Sequence, residues 1–219
     1  QCRSIVYAPT VTEKAGGVGL DESVDTSKPT SQLQLNHVYA YGGDSSRHGT
    51  SIKGKNVMFL TDDKIMFPAG ALVVVMNMRD GEQGFFSGHN DEVTCLTIHP
   101  DRVVAASGQI GKGGKILVWD STLVKAGGRT LSASVELDMK LGTKGVCGLN
   151  FSGDGRFLIA LGIDESHSMV VFDWVQGVVV ATAKVGHSDV HQMGFNPFLF
   201  AAIDRIDELK VPVTPRDGE

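Results

Sequence analysis

Residues 49–56 read GTSIKGKN, one position short of the glycine-rich pattern G-x-x-x-x-G-K-[ST] that cradles phosphate. Asn56 stands where a hydroxyl would bind magnesium. The VMFL that follows reads as a strand, not as the helix whose N-terminus would hold a phosphate. The stretch is therefore expected to be a glycine-rich surface loop. Its Arg47, Lys53 and Lys55, with His48, form the most basic patch of the chain and a candidate contact for an acidic partner. His187 and His191 lie in a strand-and-turn context with no third ligand, so no metal site is expected. Asp62-Asp63 and Asp164-Glu165 are adjacent acids in turns, and adjacency alone does not set two carboxylates across a pocket for acid–base work. Cys2, Cys95 and Cys147 lie far apart, and the last two fall inside apolar strand patterns that suit buried thiols. No Ser/His/Asp or Cys/His nucleophile arrangement stands out. Neither catalysis nor a cofactor is expected.

The elements that must position these residues are short strands. The chain has 219 residues, with 42% hydrophobic and 21% charged, as in ordinary globular proteins, and its 27 Gly against 7 Pro suit many tight turns. No apolar run approaches the ~18 residues of a membrane span. The net charge of −5 offers no general footprint for nucleic acid or an anionic membrane. The odd cysteine count suits a reducing compartment, and a start at Gln1 rather than Met suits a piece of a longer chain. Residues 1–34, rich in Ser, Thr, Gly and charge, read as a flexible N-terminal arm or linker. Strands are expected at 35–41, 56–60, 64–67, 72–78, 84–87, 93–99, 103–107, 116–119, 131–137, 146–151, 157–161, 169–173, 178–185, 190–195 and 199–203. Residues 204–219 read as an irregular C-terminal tail in which 204–210 could form a short helical turn.

The strands recur. TIHPDRVVAASG, NFSGDGRFLIALG and GFNPFLFAAI align on turns at Pro100, Gly153 and Pro197, spaced roughly 53 and 44 residues, close to the ~40–50 of one propeller blade. The best round runs from Gly88-His89 through a strand, a Pro-Asp turn, a strand ending in Ala-Ser-Gly, and a strand ending in Trp119-Asp120. That is a WD-type repeat, which cannot bury its faces alone. The class expected is all-β, a partial WD-type β-propeller of about three blades, with residues 89–203 as WD repeats and the third of them incomplete. In such repeats a histidine, a Ser or Thr, an Asp of the following turn and the Trp form a buried hydrogen-bonded network. His89, Ser107 and Trp119 stand at three of those places. The turn that should hold the Asp, GQIGKGGK (108–115), contains no acid, so the network is expected to be incomplete and the turn flexible. The second round keeps Asp164 but has Phe172 at the Trp place.

Three upstream stretches add to this pattern: LQLNHVYAYGG (33–43), NVMFLTDDKIMFPAGALVVVMNM (56–78) and EQGFFSGHNDEVTCLTIHPDRVVAASGQIG (82–111). Together with ILVWDS, CGLNFSGDG and VVFDW they resemble the hydrophobic (HELP) motif and first WD repeats of the echinoderm microtubule-associated protein-like family, over residues 33–198. The resemblance implies that residues 35–88 are the HELP-motif region and form a blade. It implies a non-catalytic protein that binds tubulin or microtubules, organises or stabilises them, and meets other cytoskeletal or axonemal proteins. The place implied is the cytoplasm and cytoskeleton, with a cilium or flagellum axoneme as one such array. Residues 44–55 depart from the family as an insertion. The alternative reading is a general WD scaffold assembling another complex, because the fold does not fix the partner.

Overall fold

The computed structural model describes residues 35–41, 56–139, 143–187, 190 and 193–195. The chain divides into two units, Gln1–Gln34 and Leu35–Glu219, and every described residue belongs to the second. The strands are β1 (Met58–Phe59), β2 (Lys64–Ala69), β3 (Leu72–Asn77), β4 (Gln83–Phe86), β5 (Val93–Ile98), β6 (Val104–Gln109), β7 (Lys115–Asp120), β8 (Arg129–Thr130), β9 (Val135–Asp138), β10 (Val146–Phe151), β11 (Phe157–Gly162), β12 (Ser168–Asp173) and β13 (Val178–Lys184). They form three sheets, in the orders β1-β2-β3-β4-β8, β5-β6-β7-β9 and β10-β11-β12-β13. Every pairing is antiparallel except β4 with β8. The only helical element among the described residues is a single 3-10 turn, Ser121–Leu123. The all-β, partial WD-propeller architecture read from the sequence is the one observed.

The sheets stack as successive blades: β5 lies against β1 and β2, and β10 against β5 and β6. A strand between two neighbours is apolar on both faces, because each face meets another sheet. In β3 one face meets a sheet and the other lies under Val38 and the Tyr41 ring. Val73 and Val75 point into the cluster shared with the second blade (Leu96, Leu117, Trp119), while Val74 points the other way, toward Phe67 and Phe85. Between the second and third blades, Ala106, Ile116, Val118 and Leu137 meet Val146, Leu158, Val170 and Phe172. Cys95 and Cys147 are buried free thiols. Burial, with Asp164 nearby adding its charge, pushes the Cys147 thiol up to about 12.

The turns at the repeat anchors share one geometry. Arg102 N–H donates to the His99 carbonyl and Gly155 N–H to the Ser152 carbonyl, both at 2.9 Å, so Pro100 sits at the turn position its fixed φ suits. The fourth residue of each turn is left-handed, with φ 61° at Arg102 and 76° at Gly155.

Three expected strands differ. Residues 35–41 are extended without ladder partners; a side chain holds them instead. The Gln83 amide accepts from Val38 N–H at 2.8 Å and donates to the Val38 carbonyl at 3.1 Å. The expected strand 131–137 forms only from Val135, as β9, and the short β8 just before it, Arg129–Thr130, lies outside the expected span. β8 leaves the second blade and adds a parallel edge strand to the first, Phe85 opposite Arg129, where Arg129 Nε donates to Ser87 Oγ at 2.6 Å. That extra strand covers the first blade's open edge, which would otherwise be a template for unwanted pairing. At 190–195 no strand is formed by the described residues, although Val190 and Met193 pack on the third blade. Residues 199–203 and 204–210 lie outside the described residues.

Candidate functional site

The site best defined by the structure is the buried network of the second blade. β6 presents Ser107 and Gln109 on one face, and register places Ala105 opposite Trp119 and Ser107 opposite Leu117, so indole and hydroxyl share that face. Trp119 Nε1–H donates to Ser107 Oγ at 3.0 Å. Ser107 Oγ lies 2.6 Å from His89 Nε2, and His89 Nδ1 lies 2.8 Å from Gln109 Oε1. An amide oxygen can only accept, so Nδ1 carries the proton and Nε2 accepts from the serine hydroxyl. Gln109 Nε2 donates on to Asn90 Oδ1 at 2.7 Å. The chain of donors thus runs Trp119, Ser107, His89, Gln109, Asn90, with each link oriented by the one before.

The expectation of an incomplete network is corrected here. The missing turn aspartate is replaced by Gln109, two positions before the place that Asp164 holds in the third blade, and its amide oxygen accepts the bond a carboxylate would take. The neutral acceptor has a consequence for His89, which is buried. Desolvation drives its pKa down to about 4, and the hydrogen bond to Gln109, which acts in the opposite direction, does not offset it. The turn 108–115 is a turn between β6 and β7, as expected, but it is bonded in place. Gly111 and Gly113 N–H donate to the carbonyls of Lys144 and Thr143 at 2.8 and 3.0 Å, so it clasps the start of the third blade. Its amides are occupied and present no phosphate cradle.

A serine hydroxyl against a histidine Nε2 is the geometry of a nucleophile and its base. Ser107, however, is 0% exposed and its oxygen also receives the Trp119 N–H, so no reacting atom can approach it. Phe86 stacks on Trp119 with centroids 4.4 Å apart and planes 8° from parallel, closing the site from the first blade. The network therefore fixes the blade and its neighbour. In the third blade the equivalent register positions hold Ala160 and Phe172, an apolar pair that needs no partner. Its turn instead uses Asp164. Burial raises that carboxyl, but hydrogen bonds from the Ser168 N–H and the Ser168 and Ser166 hydroxyls outweigh it and hold it below the usual range.

Stability should fall in acid for a definite reason. With His89 at about 4 folded and about 6.5 unfolded, the unfolded chain binds the extra proton between those values. Folding should lose about 1.4 kcal/mol per pH unit across that window, about 3 kcal/mol by its lower end, and recover fully above it. Gln109→Glu, which places a carboxylate on Nδ1–H, should flatten that slope. Urea denaturation at pH 7, 5.5 and 4.5 measures it, and an unchanged slope in the variant would refute the assignment.

Arg47, Lys53 and Lys55 lie outside the described residues, as does His191, while His187 is exposed. Among the described residues no group of three or more His, Cys, Asp or Glu could hold a metal ion. Gln109 and the Gln83 clasp were missed from sequence because glutamine at those places has no fixed spacing signal.

Stacked blades of four or five strands, the His-Ser-Trp network and the Trp-Asp strand end define a WD-type propeller segment. Comparison with known proteins agrees, since residues 81–120 match the model described as WD domain, G-beta repeat. The chain is similar to the rat echinoderm microtubule-associated protein-like 2, at 30% identity over 187 residues, which is 80% of this chain and 27% of that protein. The human echinoderm microtubule-associated protein-like 1 and 3 are also 30% identical, over 77% and 83% of this chain and 20% of each relative. The chain is thus related to the echinoderm microtubule-associated protein-like proteins, the family its own motifs resemble. It spans about a fifth to a quarter of the length of the curated relatives it matches.

Proposed function

We propose that this chain is part of a microtubule-associated WD-repeat protein that binds tubulin or microtubules and organises or stabilises them, with no catalytic step of its own. The observation that carries the reading is 30% identity across four-fifths of the chain to proteins named as microtubule-associated. The structure supports it through the buried networks and blade stacking, which hold surface loops in fixed places, as recognition requires. Residues 35–88 are assigned to the HELP-motif region. Arg47, Lys53 and Lys55 supply the contact to the acidic tubulin surface, despite a net charge of −5. Nucleic acid and membrane are not partners in this reading, and no helix among the described residues is long and apolar enough to cross a membrane. The place is the cytoplasmic cytoskeleton, with the axoneme of a cilium or flagellum as the stable array it suits.

Co-sedimentation of the full-length protein with assembled microtubules tests this. Binding should be present at low salt and weaken as ionic strength rises. Reversing the loop charges (Arg47→Glu, Lys53→Glu, Lys55→Glu) should weaken it by about tenfold. Failure of the unmodified protein to pellet at low salt would overturn the reading, and repeated recovery of another complex without tubulin would favour a general scaffold.

A further inference from the structure

The step from β7 to β9 in the second blade is far longer than its counterparts. It runs over residues 121–134, where the first and third blades make the same step with 78–82 and 174–177. Long connections in compact domains are uncommon and usually carry function. This one is also fastened along its length. Asp120 caps its opening turn by accepting from the Thr122 N–H and hydroxyl at 2.8 and 2.6 Å. Val124, 5% exposed, anchors in the cluster that holds Phe86 and Trp119. Gly128 N–H donates to the Lys125 carbonyl at 2.9 Å and closes the tip as a tight turn, while Gly127 N–H donates to the Gln83 carbonyl at 2.7 Å. From there β8 pairs with β4. Covering a sheet edge needs that backbone, not the side chains the loop exposes.

Those side chains are cationic and aliphatic. Residues 121–134 hold Lys125 and Arg129 but no Asp or Glu, in a chain whose net charge is −5. Both cations are exposed, and so are Leu123 and Leu131, at 54% and 63%. Thr130 Oγ1 donates to the Leu123 carbonyl at 3.0 Å, which sets the two leucine-bearing stretches side by side. Ser87 Oγ holds Arg129 Nε, so the guanidinium is fixed in place and its terminal nitrogens are the part left for a carboxylate. Arg79 is paired with Asp63 and Lys115 with Glu136, whereas Lys125 and Arg129 form no ion pair among the described residues. Asp80 and Glu82 line a cavity at the loop tip with Ala126 and Gly127. The Asp80 carboxylate accepts from Asn77 Nδ2 and the Glu82 N–H, both at 2.9 Å, so Glu82 is the acid that an anionic ligand would meet.

We propose that the loop surface formed by Leu123, Lys125, Arg129 and Leu131 docks an extended acidic segment of a partner protein, one that carries aliphatic side chains among its carboxylates. The leucines take the aliphatic groups out of water, and Lys125 and Arg129 take the carboxylates. Because the loop is bonded in place before the ligand arrives, little ordering is lost on binding. The inference rests on the microtubule reading only for which protein supplies the acidic segment; the chemistry of the surface stands apart from it.

Fluorescence anisotropy of a labelled glutamate-rich peptide carrying two leucines, titrated with the full-length protein at low salt, tests this. Lys125→Glu should weaken binding about fivefold and Leu131→Ser about tenfold, while Glu82→Gln should tighten it about twofold. All three sites are exposed, so the urea midpoints should stay where they are. A counterpart peptide with glutamates in place of the leucines should bind about tenfold more weakly. Absence of binding, equal binding by the three variants and the unmodified protein, or equal binding of the two peptides would overturn the proposal. So would binding lost in the Arg47→Glu, Lys53→Glu, Lys55→Glu variant alone. Microtubule co-sedimentation separates it from the wider reading. Loop-dependent peptide binding with no pelleting of the unmodified protein upholds the surface and overturns tubulin as its partner. Pelleting with loop-independent peptide binding does the reverse.

Discussion

Ser107→Ala is expected to lower the unfolding free energy by about 2–4 kcal/mol, one of the two largest losses for any single substitution considered. The hydroxyl is both the acceptor for Trp119 Nε1–H and the donor to His89 Nε2, at 3.0 and 2.6 Å. Removing it orphans two buried polar groups at once, and each costs about 1–3 kcal/mol without water to replace the bond. The void left by one oxygen is minor beside that. Trp119→Phe alone should cost less, because the serine keeps its bond to His89 and a phenyl ring can keep the stack on Phe86. The double variant Ser107→Ala/Trp119→Phe should then be less damaging than the two single losses added, by about 1 kcal/mol or more, since the indole N–H is no longer there to be orphaned. The third blade already uses that pairing, with Ala160 and Phe172 at the same register positions. Urea denaturation of the four proteins at pH 7.5, where His89 is neutral in both states, isolates the effect. Strict additivity would mean that the hydroxyl and the indole do not act through one bond.

What the sequence made legible follows from which signals are local. The strands at 146–151 and 157–161 stand out because apolar runs end at turns with fixed chemistry, and the observed β10 and β11 match them within a residue. The blade repeat was readable because Pro100 and Gly153 each sit in a four-residue turn closed by its own hydrogen bond. Three of the network residues were readable for the same reason, since Gly-His, Ala-Ser-Gly and Trp-Asp mark strand ends. Gln109 was not, because only register reveals that it faces Nδ1 of His89 across the blade. β8 was hidden differently. Its two residues pair with β4, more than forty positions upstream, and no periodicity within RT could announce a parallel partner. The strap at 35–41 has strand-like composition, yet its backbone bonds go to a glutamine side chain, so the alternation was real and the ladder was not.

Gly145→Ala is expected to cost about 3 kcal/mol or more, while Gly70→Ala should cost only about 1 kcal/mol. Both glycines have positive φ, at 152° and 61°, so both substitutions strain the backbone. They differ in what surrounds them. An added Cβ at Gly70 would meet nothing within 4 Å. At Gly145 it would lie 2.7 Å from the Ile110 Cα and 3.1 Å from the Gln109 carbonyl oxygen, backbone atoms of the neighbouring blade that no rotamer change can move. Gly145 and Ile110 form an isolated bridge between the second and third blades, and the Gly145 carbonyl accepts from Ile163 N–H at 2.8 Å. Relief of the clash must therefore separate the two sheets at their inner edge, next to Val146 and the Gln109 end of the His89 network. The damage should be visible in two readouts, a lower urea midpoint and faster hydrogen exchange at the amides of Ile110, Gly111 and Gly113, whose bonds run to Glu92 and across the same junction to Lys144 and Thr143. Equal losses at the two glycines would show that strain alone sets the cost. A loss confined to Gly145 with unchanged exchange at those amides would show that the clasp holds without close backbone contact, and the stacking of these blades would then rest on side-chain packing alone.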